Sequence, residues 1–117
     1  MKKNEIIAII ANELPAEQLR AANVYVYKER LPAGISIGIN QQEIVMGKPS
    51  YLLFADLEPG ANWAHRCRYF IVDEDGQHSA IDSSLPPEME HYRLLQKGGE
   101  SGNWSVLTSM PMPEELL

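Results

Sequence analysis

The stretch RCRYFIVDEDGQHSAIDS, residues 66–83, predicts a β-hairpin. An apolar run leads into Asp75-Gly76, the residue pair that a two-residue type I′ turn prefers, and a second short run follows. A loop of this length would place Phe70 opposite Ile81. We therefore expect two antiparallel strands joined at Asp75-Gly76.

The predicted register keeps the histidines of the chain apart. His65 would lie at one end of the hairpin and His78 at the other, roughly 26 Å away at the rise of an extended strand. A zinc ion needs each ligand atom within about 2.3 Å, which disfavours a site built from His65, Cys67, His78 and His91. We expect no metal and no cofactor, with His78 paired to Asp73 across the turn and His91 on the surface.

The spacing of apolar residues divides the rest of the chain into helical and extended segments. Before residue 24 they recur every three or four positions, which is typical of a helix, whereas Ile35, Ile37 and Ile39 alternate with small or polar residues, which is typical of a strand. The fuller apolar run SYLLFADL, residues 50–57, indicates a central strand. The predicted segments are a helical segment at 1–23, antiparallel strands within 24–85, a helix at 87–97, a short strand at 104–108 and a loose tail at 109–117.

The helix at 87–97, PEMEHYRLLQK, is predicted from its ends and its apolar stripe. A proline suits the first turn, glutamates precede the basic residues, and two glycines follow the last turn. Met89, Tyr92 and Leu95 would pack on the sheet. We therefore predict a single α+β domain, with a mainly antiparallel sheet of about five or six strands on which the N-terminal helical segment and this later helix pack.

The composition restricts the kinds of partner. The chain has 117 residues and a net charge of −6, and an acidic protein is repelled by phosphate backbones, so we expect no nucleic-acid partner. Because no window approaches the ~18 apolar residues of a membrane span, and the apolar stretch near the N-terminus is too short for a signal peptide, we expect a cytoplasmic protein without membrane association. One cysteine allows no internal disulfide. The partner would be another protein or a small molecule, and an exposed sheet edge is compatible with a homodimer.

The loop DLEPGANWAHRCR, residues 56–68, holds the densest group of chemically active side chains. In our leading hypothesis it is the contact surface of a small non-catalytic binding or accessory protein. Trp63 would anchor the partner and Arg66 would add a charge-assisted contact. Asn62 and Glu58 would complete the surface.

The same loop offers the components of a nucleophilic site. Pairing of its flanking strands would bring Asp56, His65 and Cys67 together, with His65 and Cys67 on the same face of a strand. A thiol, a base and a carboxylate that orients the base are what a thiol-dependent hydrolase or transferase requires. The alternative hypothesis is therefore such an enzyme, with Cys67 as nucleophile, His65 as base and Asp56 as the orienting group.

A third interpretation comes from PGANWAHRC, residues 59–67, followed by a strand and Gly76. This stretch resembles the first sequence motif of cupins, a Pro-Gly followed by His-x-His. His65 matches the first histidine and Cys67 stands in the place of the second, while the later glutamate ligand and the second motif have no counterpart. The resemblance covers about nine residues and implies a cupin-like domain that binds a small molecule.

Overall fold

A computed structural model gives the structure of residues 1–59, 66–98 and 111–117. In chain order the elements are helices α1 (Lys3–Glu13) and α2 (Ala16–Ala21), then strands β1 (Asn23–Tyr27), β2 (Ser36–Ile39), β3 (Gln42–Val45), β4 (Ser50–Asp56), β5 (Cys67–Asp73), β6 (His78–Ser83) and β7 (Tyr92–Gln96). Short 3₁₀ helices cover Met89–His91 and Glu114–Leu116. Among these described residues, no helix has the length and apolar character needed to cross a membrane. The strand predicted at 104–108 lies outside the described residues.

Five strands form one antiparallel sheet in the order β6-β5-β4-β1-β7, and β2 and β3 form a separate two-stranded hairpin. The predicted α+β class, the N-terminal helices and the central position of β4 are confirmed. The sequence of β4 is an unbroken apolar run because both faces of the strand are covered, and every residue from Ser50 to Ala55 is buried. Its pairing with β5 places Asp56 opposite Cys67.

One face of the sheet, here called the helix face, packs against α1. Residues one turn apart on α1 turn their aliphatic side chains towards the strands, and each such side chain contributes roughly 1.5–3 kcal/mol when fully buried. The buried cluster of the helix face comprises Ile6, Ile10, Leu14, Val24, Val26, Tyr51, Leu53, Ala55, Phe70, Val72, Leu95 and Leu116.

Cupins are jelly rolls of two stacked sheets, so the resemblance of residues 59–67 does not extend to this fold.

The opposite face, here called the tyrosine face, is partly covered by the β2–β3 hairpin. The two central residues of the hairpin turn, Asn40 and Gln41, have φ values of 55° and 65°, as a two-residue type I′ loop requires. The Asn40 side chain donates a 2.7 Å hydrogen bond to the backbone carbonyl of Asp82 on β6, which fixes the tip across the sheet. The buried cluster on this face comprises Tyr25, Leu31, Ile39, Met46, Leu52, Phe54, Cys67, Tyr69, Tyr92 and Leu94.

The prediction of a helix at 87–97 is wrong. Met89–His91 forms a single 3₁₀ turn, and Tyr92–Gln96 forms strand β7, which pairs with β1. Leu94 and Leu95 are both buried because adjacent strand residues face opposite sides of the sheet, and both sides are covered here. A strand buried on both faces shows no polar alternation, and the spacing of its apolar residues therefore resembles a helical stripe.

The β5–β6 hairpin has its tip where predicted but a different register. Phe70 pairs with Ala80 and not with Ile81. The loop contains three residues, because Gly76 adopts a φ of 84° and its N–H donates to the carbonyl of Asp73 at 3.0 Å. A type I turn followed by a left-handed residue builds such a loop, and the extra residue shifts every pair by one position.

His78 does not pair with Asp73, and the shift of register is the reason. The shift turns His78 towards the helix face, where its Nε2 lies 2.7 Å from Oε1 of Glu13, the last residue of α1. Asp73 Oδ1 instead accepts the backbone N–H groups of Asp75 and Gln77, at 2.8 and 3.1 Å. The aspartate therefore stabilises the turn itself.

The tail that was predicted to be loose packs on the domain over its described part, residues 111–117. Leu116 is 1% exposed and belongs to the helix-face cluster. The hydroxyl of Tyr51 donates a hydrogen bond to the Glu115 carboxylate. Burial, and then this bond, raise the pKa of Tyr51 to about 12, and the same bond holds the pKa of Glu115 below its usual value. The tail thus completes the core.

Candidate functional site

The tyrosine face carries a row of neighbouring aromatic rings. Tyr25 stacks on Phe54 with 5.9 Å between ring centroids, and Phe54 lies 5.2 Å from Tyr69. Tyr27 meets Tyr92 edge-on at 5.5 Å. The row exists because β1 alternates valine with tyrosine, so its valines face the helices and its tyrosines face the other way.

A cleft of ≈ 580 Å³ opens on this face, and we call it the tyrosine cleft. Its floor includes Tyr27, Tyr69 and Tyr92. One wall comes from residues 35–41 of the β2–β3 hairpin, and the other comes from the segment after β6, within residues 83–91. The volume falls within the ~300–1,000 Å³ of clefts that bind small molecules.

Two buried tyrosines of this cleft differ in their hydrogen bonding. The hydroxyl of Tyr69 donates a 2.9 Å bond to the carbonyl of Leu85. Tyr92 is only 4% exposed, yet its hydroxyl makes no hydrogen bond to any residue within the described ranges. Burial raises the pKa of both side chains, that of Tyr69 to about 12, so both remain neutral phenols at physiological pH. Buried polar groups nearly always have a partner, so a bound molecule that offers one to Tyr92 would be favoured.

The rim of the tyrosine cleft is acidic. Glu88 and His91 line it, and His91 Nε2 lies 3.5 Å from a Glu88 oxygen and 3.6 Å from a Glu90 oxygen. With two carboxylates and one imidazole, this cluster is negative whether or not the imidazole is protonated. The ligand atoms of the three residues lie within 4.8 Å of one another. Their exposure leaves them hydrated, and we assign no metal to them.

Three residues predicted for the 56–68 loop, Asn62, Trp63 and His65, lie outside the described residues. Their proposed roles as partner contacts, and that of His65 as a base, stay predictions.

Other predicted residues of that loop form hydrogen bonds and an ion pair next to the ends of β4 and β5. Glu58 Oε1 accepts the backbone N–H of Arg66 at 2.7 Å, and Asp56 Oδ1 accepts the backbone N–H of Glu58 at 3.0 Å. The Arg66 guanidinium lies 3.5 Å from the same Glu58 carboxylate, and both side chains are largely exposed. Asp56 and Glu58 therefore bond to the backbone next to the strand ends, the Arg66 side chain is exposed, and the binding roles predicted for Glu58 and Arg66 stay predictions.

Cys67 has the properties of a core residue. It is 2% exposed, and its Sγ donates to the carbonyl of Ser83 at 3.2 Å. Burial raises the pKa of the thiol to about 11, and the negative charge of Asp56 acts in the same direction. A cysteine nucleophile needs the opposite, a pKa lowered towards neutrality and access to solvent. The structure thus brings Asp56 and Cys67 together but leaves the thiol protonated.

A second depression, of ≈ 420 Å³, lies on the other side of the β2–β3 hairpin. Its charged groups are already paired, because Lys48 forms an ion pair with Asp75 and His78 contacts Glu13. The tyrosine cleft is the stronger candidate because it contains a buried polar group that no described residue satisfies.

The residues of the tyrosine cleft were not predicted as a site. One local signal was present, since Tyr25 and Tyr27 are two apart on a strand and must share a face. Tyr69 and Tyr92 join them only through the strand order of the sheet.

The fold and the cleft define an α+β protein with helices on one face of its sheet and a tyrosine-lined cleft on the other. The chain matches no model of a known protein family, no curated protein and no solved structure. A proposal for its function therefore rests on the chemistry of the cleft.

Proposed function

We propose that this chain is a small non-catalytic binding protein whose ligand site is the tyrosine cleft. The observation that carries the proposal is Tyr92, a residue of the cleft lining that is only 4% exposed and whose hydroxyl has no hydrogen-bond partner among the described residues. Leaving a buried hydroxyl unsatisfied costs roughly 1–3 kcal/mol. A ligand that hydrogen-bonds to Tyr92 would recover that free energy on binding.

Binding is favoured over catalysis by the state of the reactive groups. Burial keeps the Tyr69 and Tyr92 phenols and the Cys67 thiol protonated, so none of the three is an activated nucleophile. The proposal keeps the leading hypothesis from the sequence, a non-catalytic binding protein, but moves the ligand site to the cleft. The hypothesis that the 56–68 loop is a contact surface stays a separate prediction.

The test is to block the cleft and map binding with amide NMR. Ile37, half-buried on the wall formed by β2, lines the cleft, so the indole of Ile37→Trp would extend into it. Ile44 pairs with Ile37 across the hairpin but lines the other depression, which makes Ile44→Trp the matched control. The probes are small organic molecules with an apolar body and one polar group, covering positive, neutral and negative charge.

We expect some of these probes to shift the amide signals of residues 35–41 and 83–91 in the wild type and in Ile44→Trp, but not in Ile37→Trp. If no probe shifts those signals, or if Ile37→Trp binds as the wild type does, the cleft is not the ligand site.

A further inference from the structure

We infer that the ligand of the tyrosine cleft is a protonated organic amine, with its ammonium group carried on an apolar body. The inference rests on the proposed function of the cleft and names the chemical class of its ligand. It follows from three properties of the lining: its aromatic rings, its charge and the hydroxyl of Tyr92.

The aromatic rings favour an apolar body and a positive charge. Tyr27, Tyr69 and Tyr92 line the cleft together with aliphatic residues of the hairpin wall. The face of a phenol ring is electron-rich and attracts a cation that approaches within about 6 Å of its centre. Because the phenols of Tyr69 and Tyr92 stay protonated, they offer this attraction without any charge of their own.

The charges around the cleft disfavour an anion. Among the described residues that line it, Glu88 and His91 carry the only ionisable groups besides tyrosines, and lysine and arginine are missing from this set. Glu90 adds a second carboxylate beside His91. The whole chain carries a net charge of −6, so the wider field has the same sign. An anionic ligand would be repelled by the carboxylates of Glu88 and Glu90, whereas an ammonium group would be attracted to them.

The hydroxyl of Tyr92 distinguishes an amine that carries N–H from a quaternary ammonium ion. The phenol oxygen of Tyr92 accepts a hydrogen bond from an ammonium N–H, and charge-assisted bonds of this kind are about twice as strong as neutral ones. A quaternary ammonium ion has no N–H to donate. The acidic rim adjoins the rings, since the ring of His91 lies 6.4 Å from that of Tyr27.

The experiment compares three probes that share one chain: hexylamine, hexanol and hexanoate, each titrated into the full-length protein and followed by amide NMR. We expect hexylamine to bind the cleft at least ~5-fold more tightly than hexanol, a ratio within the range of cation–π attraction, and hexanoate to bind weakest. Hexyltrimethylammonium, which keeps the charge but lacks N–H, should bind less tightly than hexylamine.

Matched variants separate the rim carboxylate from the overall charge. Glu88→Gln should weaken hexylamine binding roughly twofold to threefold, as expected for loss of an exposed charge partner, and leave hexanol unchanged. Glu17→Gln removes the same charge from α2, whose Leu19 packs against the helix-face cluster, and should change neither. Tyr92→Phe should lower the affinity for hexylamine and remove its advantage over hexyltrimethylammonium.

The outcomes distinguish failure of the inference from failure of the proposed function. If hexanol or hexanoate binds the cleft as tightly as hexylamine, the cleft is a ligand site but not one for amines. If Glu88→Gln and Glu17→Gln weaken hexylamine equally, the acidic rim has no role in recognition. If none of the probes shifts the signals of residues 35–41 and 83–91, both the amine and the cleft are rejected.

Discussion

Removing the hydroxyl of Tyr92 should leave the stability of the fold unchanged or increase it. Tyr92 and Tyr69 are a matched pair, since both line the tyrosine cleft and they are 4% and 6% exposed. They differ in that Tyr69 donates to the carbonyl of Leu85, while Tyr92 has no hydrogen-bond partner among the residues described. Substitution by phenylalanine at either position removes one oxygen atom and keeps the ring.

The magnitude follows from what each hydroxyl does in the folded protein. The 2.9 Å bond of Tyr69 has good geometry, and a bond of this type contributes about 1 kcal/mol net, so Tyr69→Phe should lower the free energy of unfolding by about that amount. The hydroxyl of Tyr92 belongs to a residue that is 4% exposed, and it gains no hydrogen bond from any residue that the structure describes. Tyr92→Phe should therefore cost less than about 0.5 kcal/mol, or raise the free energy of unfolding by up to about 1 kcal/mol.

Urea unfolding followed by far-UV circular dichroism measures both variants against the wild type. For a domain of this size a difference of about 1 kcal/mol also moves the thermal midpoint by roughly 3–5 °C, which gives a second measurement. The reasoning is refuted if Tyr92→Phe destabilises the protein as much as Tyr69→Phe does. Such a result would mean that the hydroxyl of Tyr92 has a partner within the folded chain, and the central observation for the ligand site would be lost.

Three further predictions concern the packing of the domain. Gly98→Ala should lower the free energy of unfolding by about 2–3 kcal/mol, because its Cβ would lie 2.2 Å from the carbonyl oxygen of Ala22; Gly47→Ala, with no atom within 4 Å of its Cβ, should be near neutral in the same urea melts. Leu116→Ala should cost about 2–5 kcal/mol in those melts, since the side chain is 1% exposed in the core, and a loss below about 1 kcal/mol would show that the tail does not pack. The Cys67 thiol, with its pKa raised to about 11, should react with iodoacetamide at about pH 8 more than ~100-fold slower in the native protein than in urea; comparable rates would restore the thiol-enzyme hypothesis.

The parts of the fold that local signals determine could be predicted from the sequence. The apolar run of β4 indicates a strand covered on both faces, and it lies at the centre of the sheet. Pro15 precedes α2 directly, as its fixed φ allows, and the tip of the β5–β6 hairpin lies at Asp75-Gly76. Each of these features depends on residues adjacent in the chain, so one sequence is enough to find it.

The largest error of the prediction lies in a segment whose structure depends on a distant partner. Residues 92–96 carry helix-compatible signals, but pairing with β1 makes them strand β7, because tertiary context overrides local propensity. The register of the β5–β6 hairpin differs from the prediction by one position, since Asp-Gly suits both two-residue and three-residue loops. Asp73 decides between them here by accepting the N–H groups of Asp75 and Gln77, an interaction that an aspartate at the first position of a type I turn commonly makes.

The two faces of the sheet differ in a way that packing alone does not explain. The helix face is filled mainly by aliphatic side chains, and the hydroxyl of its one tyrosine, Tyr51, is bonded to Glu115. A purely structural tyrosine face could use phenylalanine at position 92, as β4 does with Phe54, and avoid burying a hydroxyl that no residue in the described ranges bonds. Residues that break such a local rule without compensation in the fold tend to be functional. The oxygen of Tyr92 is therefore the reason for the proposed ligand site, and the acidic residues in the same cleft lining are the reason for proposing a positively charged donor.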